Sequence, residues 1–447
     1  MLKTLLGSTL ELKRDPLGTF ERAMYEQGDV ARIVLGPPGA RQVLNLVTHP
    51  DGIQQILATN SRNYAKGSPF YREIRGWVGD GLLTSEGEEW QRQRRIVQPL
   101  FTPRRVKTYV DVMAEEADRL VGELSPGSSS AQTVDLHTTS MRYTLRVVGR
   151  LLFGDDLADV IATMDHAFPL VNQQVRTRAQ QPIRLIRDVP TRRARQARAA
   201  QRELFEVVDR VVARHKEATG ADDLVTLLQH ATDPETGAGL DAREIRDQVL
   251  IFLLAGHETT ANALTFTLHL LGHHPETQDA VRAEVANVVS TWPPSADDVE
   301  HLDETWAAIQ EAMRLYPPAP GTGRVALAPD DIGGHRLEAG SIVILSMWAT
   351  HRNRDLWPDP QRFDPSRFAP GAVASRHRYA YVPFGGGPRA CLGALFARLE
   401  ATVAVAALVR AFRLTTDQVE PAVAAGITLR PRGAVPCSIS ALAPSSR

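Results

Sequence analysis

Apolar positions along the chain fall mostly at three- and four-residue spacing. That period runs through Val106–Leu124, Ser140–Leu152, Glu203–His215 and Ile245–Leu271. It predicts amphipathic helices whose apolar stripes face a shared core. Helix dominates from about Glu89 to Val289, and a further helix is expected over Ala394–Phe412. Alternation of period two is confined to short runs. Val30–Leu35 and Val43–Val47 flank the turn sequence Gly36–Ala40 (GPPGA), which predicts a hairpin. Ile342–Ser346 reads as a strand. The pattern as a whole is that of a mainly α protein with small β-sheets.

Length alone, at 447 residues, suggests two or three domains. No internal repeat supports a division. The polar breaks at Pro126–Ser130, Asp233–Gly239 and Ala369–Ala374 are too short to serve as linkers. The apolar stretch at the N-terminus is interrupted by Lys3, Gly7 and Glu11, and the runs Val249–Ala255 and Ala401–Val409 are short. None reads as a membrane span or a secretory signal. A cytoplasmic protein without a membrane anchor is expected.

Charge adds an exclusion. With 51 Lys+Arg against 52 Asp+Glu the formal net charge is -1, so nothing calls for nucleic acid as a partner. The two cysteines, Cys391 and Cys437, cannot form a disulfide framework or a thiol-rich zinc or iron–sulfur centre. They fit a reducing compartment.

Four segments carry candidate chemistry. Phe384–Gly393 (FGGGPRACLG) places three glycines and a proline ahead of Cys391, with a helix to follow. Glycines let backbone approach a flat ligand closely. A helix N-terminus favours the thiolate form of a cysteine near it, as a metal ligand requires. Taken alone, the loop fits a buried structural cysteine equally well. Ala255–Thr260 (AGHETT) sets Glu258, Thr259 and Thr260 beside the apolar run Ile251–Leu254. A threonine hydroxyl bonding back to the helix predicts a local bulge eased by Gly256. The acid and the alcohol beside it suit proton delivery. Glu311 and Arg314 share a helix face, as either an exposed ion pair or, with Arg367, a buried triad. Trp90 and Arg94 lie one helical turn apart, placed to grip a carboxylate, although in isolation the segment reads as a solvated basic face.

Together, in this order and spacing, the four segments resemble the cytochrome P450 family over nearly the whole chain. The cysteine loop is similar to that family's haem-binding signature at Phe384, Gly387, Arg389, Cys391 and Gly393. AGHETT is similar to its oxygen-activation motif, and Glu311, Arg314 and Arg367 to its structural triad. The resemblance implies a single catalytic domain over 1–447, a triangular helical prism with a β-rich lobe and no fused reductase. It implies haem b with Cys391 as the iron ligand, whose thiolate donation favours O–O cleavage. Phe384 would tune that thiolate and Ala255 would touch the haem. Trp90, Arg94, Arg324 and Arg389 would hold the propionates, the local match at Arg324 being looser. Glu258 and Thr259 would relay protons.

The implied reaction takes O2, two electrons and two protons, and places one oxygen atom in a small hydrophobic substrate. Leu83, Ala255, Ala319, Gly321 and Thr322 would line its pocket, and Phe168–Pro190 would form a lid. The lid's Arg176, Arg178, Arg184 and Arg187 read as solvated surface, with reception of an anionic group as the alternative. The chain opens without the proline-rich leader common ahead of the family's first helix. Electrons would come from NAD(P)H through a separate ferredoxin or flavodoxin and its reductase. That partner would dock on Arg92, Arg95, Arg104, Arg105 and Lys107, and the protein would be a monomer. Two other readings stay open: a haem-thiolate peroxygenase or isomerase, which usually lacks the Glu258–Thr259 pair, and a haem-binding sensor or carrier without turnover. An Ala- and Arg-rich composition hints at a high-GC bacterial source, and for such a source the resemblance implies a terpenoid, polyketide or fatty acid substrate, with a lean to terpenoids.

Overall fold

The structure, a computed structural model, describes residues 7–125, 131–154, 191–215, 223–418 and 420–442, with residues 160, 163, 164, 166, 167, 170, 171, 173 and 174. Its helices include α1 (Thr9–Arg14), α2 (Pro16–Gln27), α3 (Pro69–Val78), α4 (Gly87–Val97), α5 (Val110–Leu124), α6 (Leu136–Phe153), α7 (Arg192–His215), α8 (Ala242–His273), α9 (Pro275–Val288), α10 (Asp303–Leu315) and α11 (Ala394–Ala411). Phe168–Pro190 lies largely outside the described residues, and its four arginines lie wholly outside them.

Helix α8 is the axis of the molecule. A capping box starts it, the Asp241 carboxylate accepting from the Glu244 amide while Glu244 accepts from the amide of Asp241. By length and composition α8 is apolar enough to cross a membrane, but 78% of its most apolar window is buried inside the protein. It is a core helix, packed against α6, α7, α10 and α11. Each of its fully buried leucines, such as Leu253, Leu264 and Leu271, contributes about 1.5–3 kcal/mol. The predicted bulge at Thr259 is absent, because α8 runs unbroken as α-helix. The Thr259 hydroxyl does bond back to the Ala255 carbonyl, but it shares that acceptor without displacing the helix register.

Two further expectations are corrected. The helix over Val106–Leu124 is interrupted: a short helix, Pro103–Lys107, ends before α5 begins. At the break the Thr108 hydroxyl takes the Arg105 carbonyl, and the Thr108 and Tyr109 amides bond three residues back. Within the helical stretch, Gln132–Asp135 forms a strand, because its partner Pro436–Ala441 lies about three hundred residues away and leaves no local signal.

The hairpin forms as expected. β1 (Val30–Leu35) pairs antiparallel with β2 (Gln42–Val47), Val30 opposite Val47. In chain order follow β3 (Tyr64–Ala65), β4 (Gln132–Asp135), β5 (Thr322–Ala326), β6 (Asp330–Ile332), β7 (His335–Leu337), β8 (Ile342–Leu345), β9 (Phe412–Thr415), β10 (Val423–Ala425), β11 (Leu429–Pro431) and β12 (Pro436–Ala441). The largest sheet has the order β1-β2-β8-β5-β3, and its own small core gathers Val47, Ile53, Val343 and Leu345. One strand of it, β5, carries Thr322 and Arg324 to the edge of the main cavity.

Glu311 and Arg314 form the buried alternative. Arg314 donates to both Glu311 oxygens at 2.7 Å, and Arg367 lies 3.4 Å from the same carboxylate. Arg314 also donates to the carbonyls of His351, Pro360 and Arg362, so every face of its guanidinium is occupied. Burial alone pushes the Glu311 carboxyl up, against the pull of Arg314.

Candidate active site

A cavity of about 390 Å³ lies between α8 and the cysteine loop. The loop is built to hold Cys391 at the cavity wall. Gly387 sits at φ +63°, and a Cβ there would meet the Leu57 carbonyl oxygen at 1.9 Å, so only glycine lets the loop lie against Leu57. The Cys391 amide closes the loop by donating to the Phe384 carbonyl at 2.9 Å. Gly393 then caps α11, and its amide bonds to the Cys391 sulfur. Cys391 opens to the cavity, yet it lies deep in the protein. Burial pushes its thiol up; the Gly393 amide and the Arg94 and Lys66 cations oppose that push. The expected preference for thiolate is therefore not met by the protein alone. A metal cation at the sulfur would supply what is missing.

From α8 the wall receives Ala255, Gly256, Thr259 and Ala263. Gly256 permits a close crossing with α6, since a Cβ would touch the Val148 side chain at 3.1 Å. Leu83, Ala319, Gly321 and Thr322 line the same space, with Leu82, Ile309 and Ile427 adding apolar surface. Glu258 departs from expectation. It is buried and does not line the cavity; its carboxylate accepts a 2.6 Å hydrogen bond from the Thr428 hydroxyl, and Thr428 does line it. Burial pushes the Glu258 carboxyl up, against the effects of Thr428 and Arg430.

Cations collect along one rim. Arg94 donates to the Ala390 carbonyl at 3.0 Å, Arg389 to the Ser85 carbonyl at 2.9 Å, and Arg324 to the Thr322 hydroxyl at 2.8 Å. The Arg389 guanidinium also stacks 4.1 Å over the Trp90 ring. Sequence reasoning missed Lys66 and Tyr71. Lys66 donates to the Leu83 carbonyl at 2.9 Å, lies 5.0 Å from the Tyr71 ring centre and is buried. Burial brings its ammonium down to about 8, and burial brings Arg389 down to about 10. Although burial pushes the Tyr71 phenol up, Lys66 and Arg324 beside it carry it down to about 8. Only the unusual setting of Lys66 among small and apolar residues in Tyr64–Phe70 (YAKGSPF) hinted at it.

Buried cations with so little counter-charge call for an anion. Glu86 is the carboxylate at hand, 3.5 Å from Arg389 and accepting from the Lys66 amide. A flat group with two carboxylates, a metal centre and a need for one axial thiolate fits this donor set. Haem has all of these features, so the residues fit it.

The proposed basic docking face looks different in three dimensions. Arg92 pairs with Glu89 and Glu244, Arg95 with Asp233 and Glu235, and Lys107 with Asp297 and Glu300. At least three of its five charges are thus answered among the described residues. Cys437, the second thiol, is buried in β12, and burial pushes it up to about 11.

The profile of the cytochrome P450 family matches residues 2–436. The chain is 36% identical over 415 residues to cyclooctat-9-en-7-ol 5-monooxygenase of Streptomyces melanosporofaciens, covering 92% of this chain and 87% of that one. It is 32% identical to pentalenene oxygenase of Streptomyces avermitilis, covering 92% and 90%. The cytochrome P450DA haem domain superposes with a TM-score of 0.84 at 29% identity, covering 97% of this chain and 94% of that one. The chain belongs to the cytochrome P450 family and is a haem-dependent monooxygenase. Its reaction draws on haem, O2 and electrons from redox partners, and its substrates are hydrophobic.

Proposed function

We propose that the chain oxidises a terpenoid, with haem b ligated by Cys391 and electrons relayed from NAD(P)H by a separate ferredoxin or flavodoxin and its reductase. It works as a cytoplasmic monomer with one catalytic domain over 1–447. The observation that carries the reading is the sharing of one largely apolar cavity by the Cys391 sulfur, the Thr259 hydroxyl and a rim of buried cations. The terpenoid lean is supported by the names of the two Streptomyces relatives.

When bound, the haem supplies an iron centre that activates O2 and passes one oxygen atom to the substrate. The chain's residues do the rest. Cys391 Sγ would hold the iron, and the Gly393 amide would steady the charge of the thiolate. Arg94, Arg324, Arg389 and Lys66 would neutralise the two propionates, and Trp90 backs Arg389. Thr259 holds a hydroxyl proton at the cavity wall. Glu258 holds a proton behind that wall, and Thr428 Oγ1 links it to the cavity. The walls of Leu82, Leu83, Ala319 and Ile427 exclude water from the substrate side.

The test is the carbon monoxide difference spectrum of the reduced holoprotein, followed by turnover of polycyclic terpenes under labelled dioxygen. A strongly red-shifted band that disappears in Cys391→Ala, with one labelled oxygen in the product, is expected. An unshifted band would remove Cys391 as ligand, and unlabelled product would remove the monooxygenase assignment.

A further inference from the structure

The loop between α3 and α4 carries Leu82 and Leu83 to the cavity wall. Its backbone is held from two sides. On one side stand Asp247 and Gln248 of α8, both buried. The Asp80 amide donates to the Asp247 carboxylate at 2.9 Å, and the Leu82 amide donates to the Gln248 side-chain oxygen at 3.1 Å. Glycines let the loop close on these side chains. Gly79 sits at φ +83°, and a Cβ there would fall 2.1 Å from the Asp247 carboxyl carbon. At Gly81 a Cβ would meet Ile251 Cδ1 at 2.6 Å. Arg246 in turn donates to the Asp247 carboxylate at 3.0 Å. On the other side Gln93 donates to the Asp80 carbonyl at 2.9 Å, Lys66 to the Leu83 carbonyl at 2.9 Å and Arg389 to the Ser85 carbonyl at 2.9 Å.

A polar side chain is costly inside a helix as apolar as α8. Gln248 is fully buried, and among the described residues its side-chain nitrogen has no hydrogen-bond partner. A buried donor left unmade subtracts from stability, so an apolar residue of the same shape would pack at lower cost. What a glutamine adds at this position is the oxygen that takes the Leu82 amide. The cavity wall beside it is largely apolar and offers few directional contacts to a ligand. Shape must then orient the substrate, and that shape is only as fixed as the backbone that carries Leu82 and Leu83.

We propose that Asp247 and Gln248 are positioning residues that determine the specificity of the cavity by clamping the Leu82–Leu83 wall against α8. Neither side chain lines the cavity, so both act through the loop. The inference rests on the monooxygenase reading and names residues that select among the ligands of that same site.

The test compares wild-type holoprotein with Gln248→Met and Asp247→Ala. N-methylimidazole, N-phenylimidazole and N-adamantylimidazole bind haem iron through the same ring nitrogen and differ in bulk, and the Soret shift gives a dissociation constant for each. Hydrogen exchange across Gly79–Thr84 is expected to rise about threefold or more in both variants, because each loses one amide hydrogen bond. The ratio of the weakest to the tightest dissociation constant is expected to shrink about fivefold or more, a change that a purely structural role would not produce. Asp247→Asn, whose side-chain oxygen still accepts from Asp80, keeps the wild-type exchange and the wild-type ratio. Should Asp247→Ala fail to fold, Gln248→Met, which strands no charge, decides alone. An unchanged ratio in a variant whose loop exchange has risen overturns the proposal, as does exchange at the wild-type rate in Gln248→Met. The carbon monoxide band is read first in every sample. A red-shifted band with an unchanged ratio defeats the clamp alone; absence of that band from the wild-type protein defeats the underlying reading and the proposal with it.

Discussion

The Thr428 hydroxyl donates a 2.6 Å hydrogen bond to the Glu258 carboxylate and at the same time lines the cavity that Glu258 itself does not reach. The acid of the sequence motif is thus connected to the cavity through a residue 170 positions away. Its neighbour Thr259 stands at the wall directly.

That geometry puts Glu258 and Thr428 on one route, which substitution tests. Proton transfer by a positioned side chain contributes about 10²–10⁴-fold. Glu258→Gln is expected to lower product formation by about 10-fold or more while dioxygen consumption continues, diverting electrons to peroxide. Thr428→Val should reproduce a large part of that loss, and Thr428→Ser should restore it. Product-to-dioxygen ratios in the three variants decide. Full coupling in Thr428→Val would mean that Glu258 exchanges protons by some other route.

Lys66 joins Arg94, Arg324 and Arg389 at the rim, where burial weakens its hold on its proton. A hydrogen bond to a charged group contributes about 1.5–3 kcal/mol. Lys66→Met should therefore release haem to apomyoglobin about 10- to 100-fold faster than the wild-type protein, with the position of the carbon monoxide band unchanged. Haem loss at the wild-type rate would return Lys66 to a purely structural place beneath Leu83.

How much of this is legible in the chain depends on how local the cause is. The cysteine loop is legible because its glycines, its proline and Cys391 fall within ten residues, Phe384–Gly393, and the hairpin because GPPGA lies between two alternating runs. Thr428 is not legible: it belongs to no motif, and it matters only because the turn between β10 and β11 brings it against α8. Lys66 and Tyr71 reach the rim through the packing of β3 and α3 against β5. The strand Gln132–Asp135 follows the same rule, since its partner is the distant β12. The basic face around Arg92 misleads for the converse reason. Its carboxylate partners Asp233, Glu244 and Glu300 are remote in sequence, so the cations look unanswered until the chain is folded.

The Glu311–Arg314 pair has no exposed surface. Removing one partner from a buried ion pair costs about 3–5 kcal/mol, because the other charge is left without compensation. Arg314→Ala should therefore prevent recovery of folded holoprotein or depress its melting temperature steeply. Glu311→Gln/Arg314→Met, which strands only the half-buried Arg367, should recover part of the loss. A mild effect of Arg314→Ala would show that Arg367 and the surrounding carbonyls suffice to hold Glu311.

Glu400 on α11 is fully buried, and burial holds its carboxyl well above the usual range, with the Thr260 hydroxyl opposing. A carboxyl raised in the folded state keeps its proton where the unfolded chain has released one. Its contribution to stability is thus complete below about pH 4.5 and is lost as pH rises toward the folded value, at about 1.4 kcal/mol per pH unit. Between about pH 5 and about pH 8 the wild-type protein should lose stability relative to Glu400→Gln, which carries no such proton. Parallel stability profiles for the two proteins would show that Glu400 titrates alike in both states.

Electron delivery tests the basic face. Arg95 is bound to Asp233 by hydrogen bonds of 2.7 and 2.8 Å, and this partner holds the Asp233 carboxyl well below its ordinary range. Lys107 is likewise held by Glu300 at 2.7 Å. Such cations stabilise the fold more than they advertise a charge, whereas Arg104 is exposed on the short helix Pro103–Lys107. Arg104→Glu should slow the first reduction by an acidic ferredoxin about two- to fivefold at low salt, with the melting temperature and substrate binding unchanged. The difference should fade as salt is raised. Arg95→Glu should instead melt earlier, since it sets a carboxylate against Asp233. Stopped-flow reduction and thermal denaturation on the same samples discriminate. A slow reduction confined to Arg95→Glu, with both variants melting like the wild-type protein, would move the docking face onto the paired cations and away from Arg104.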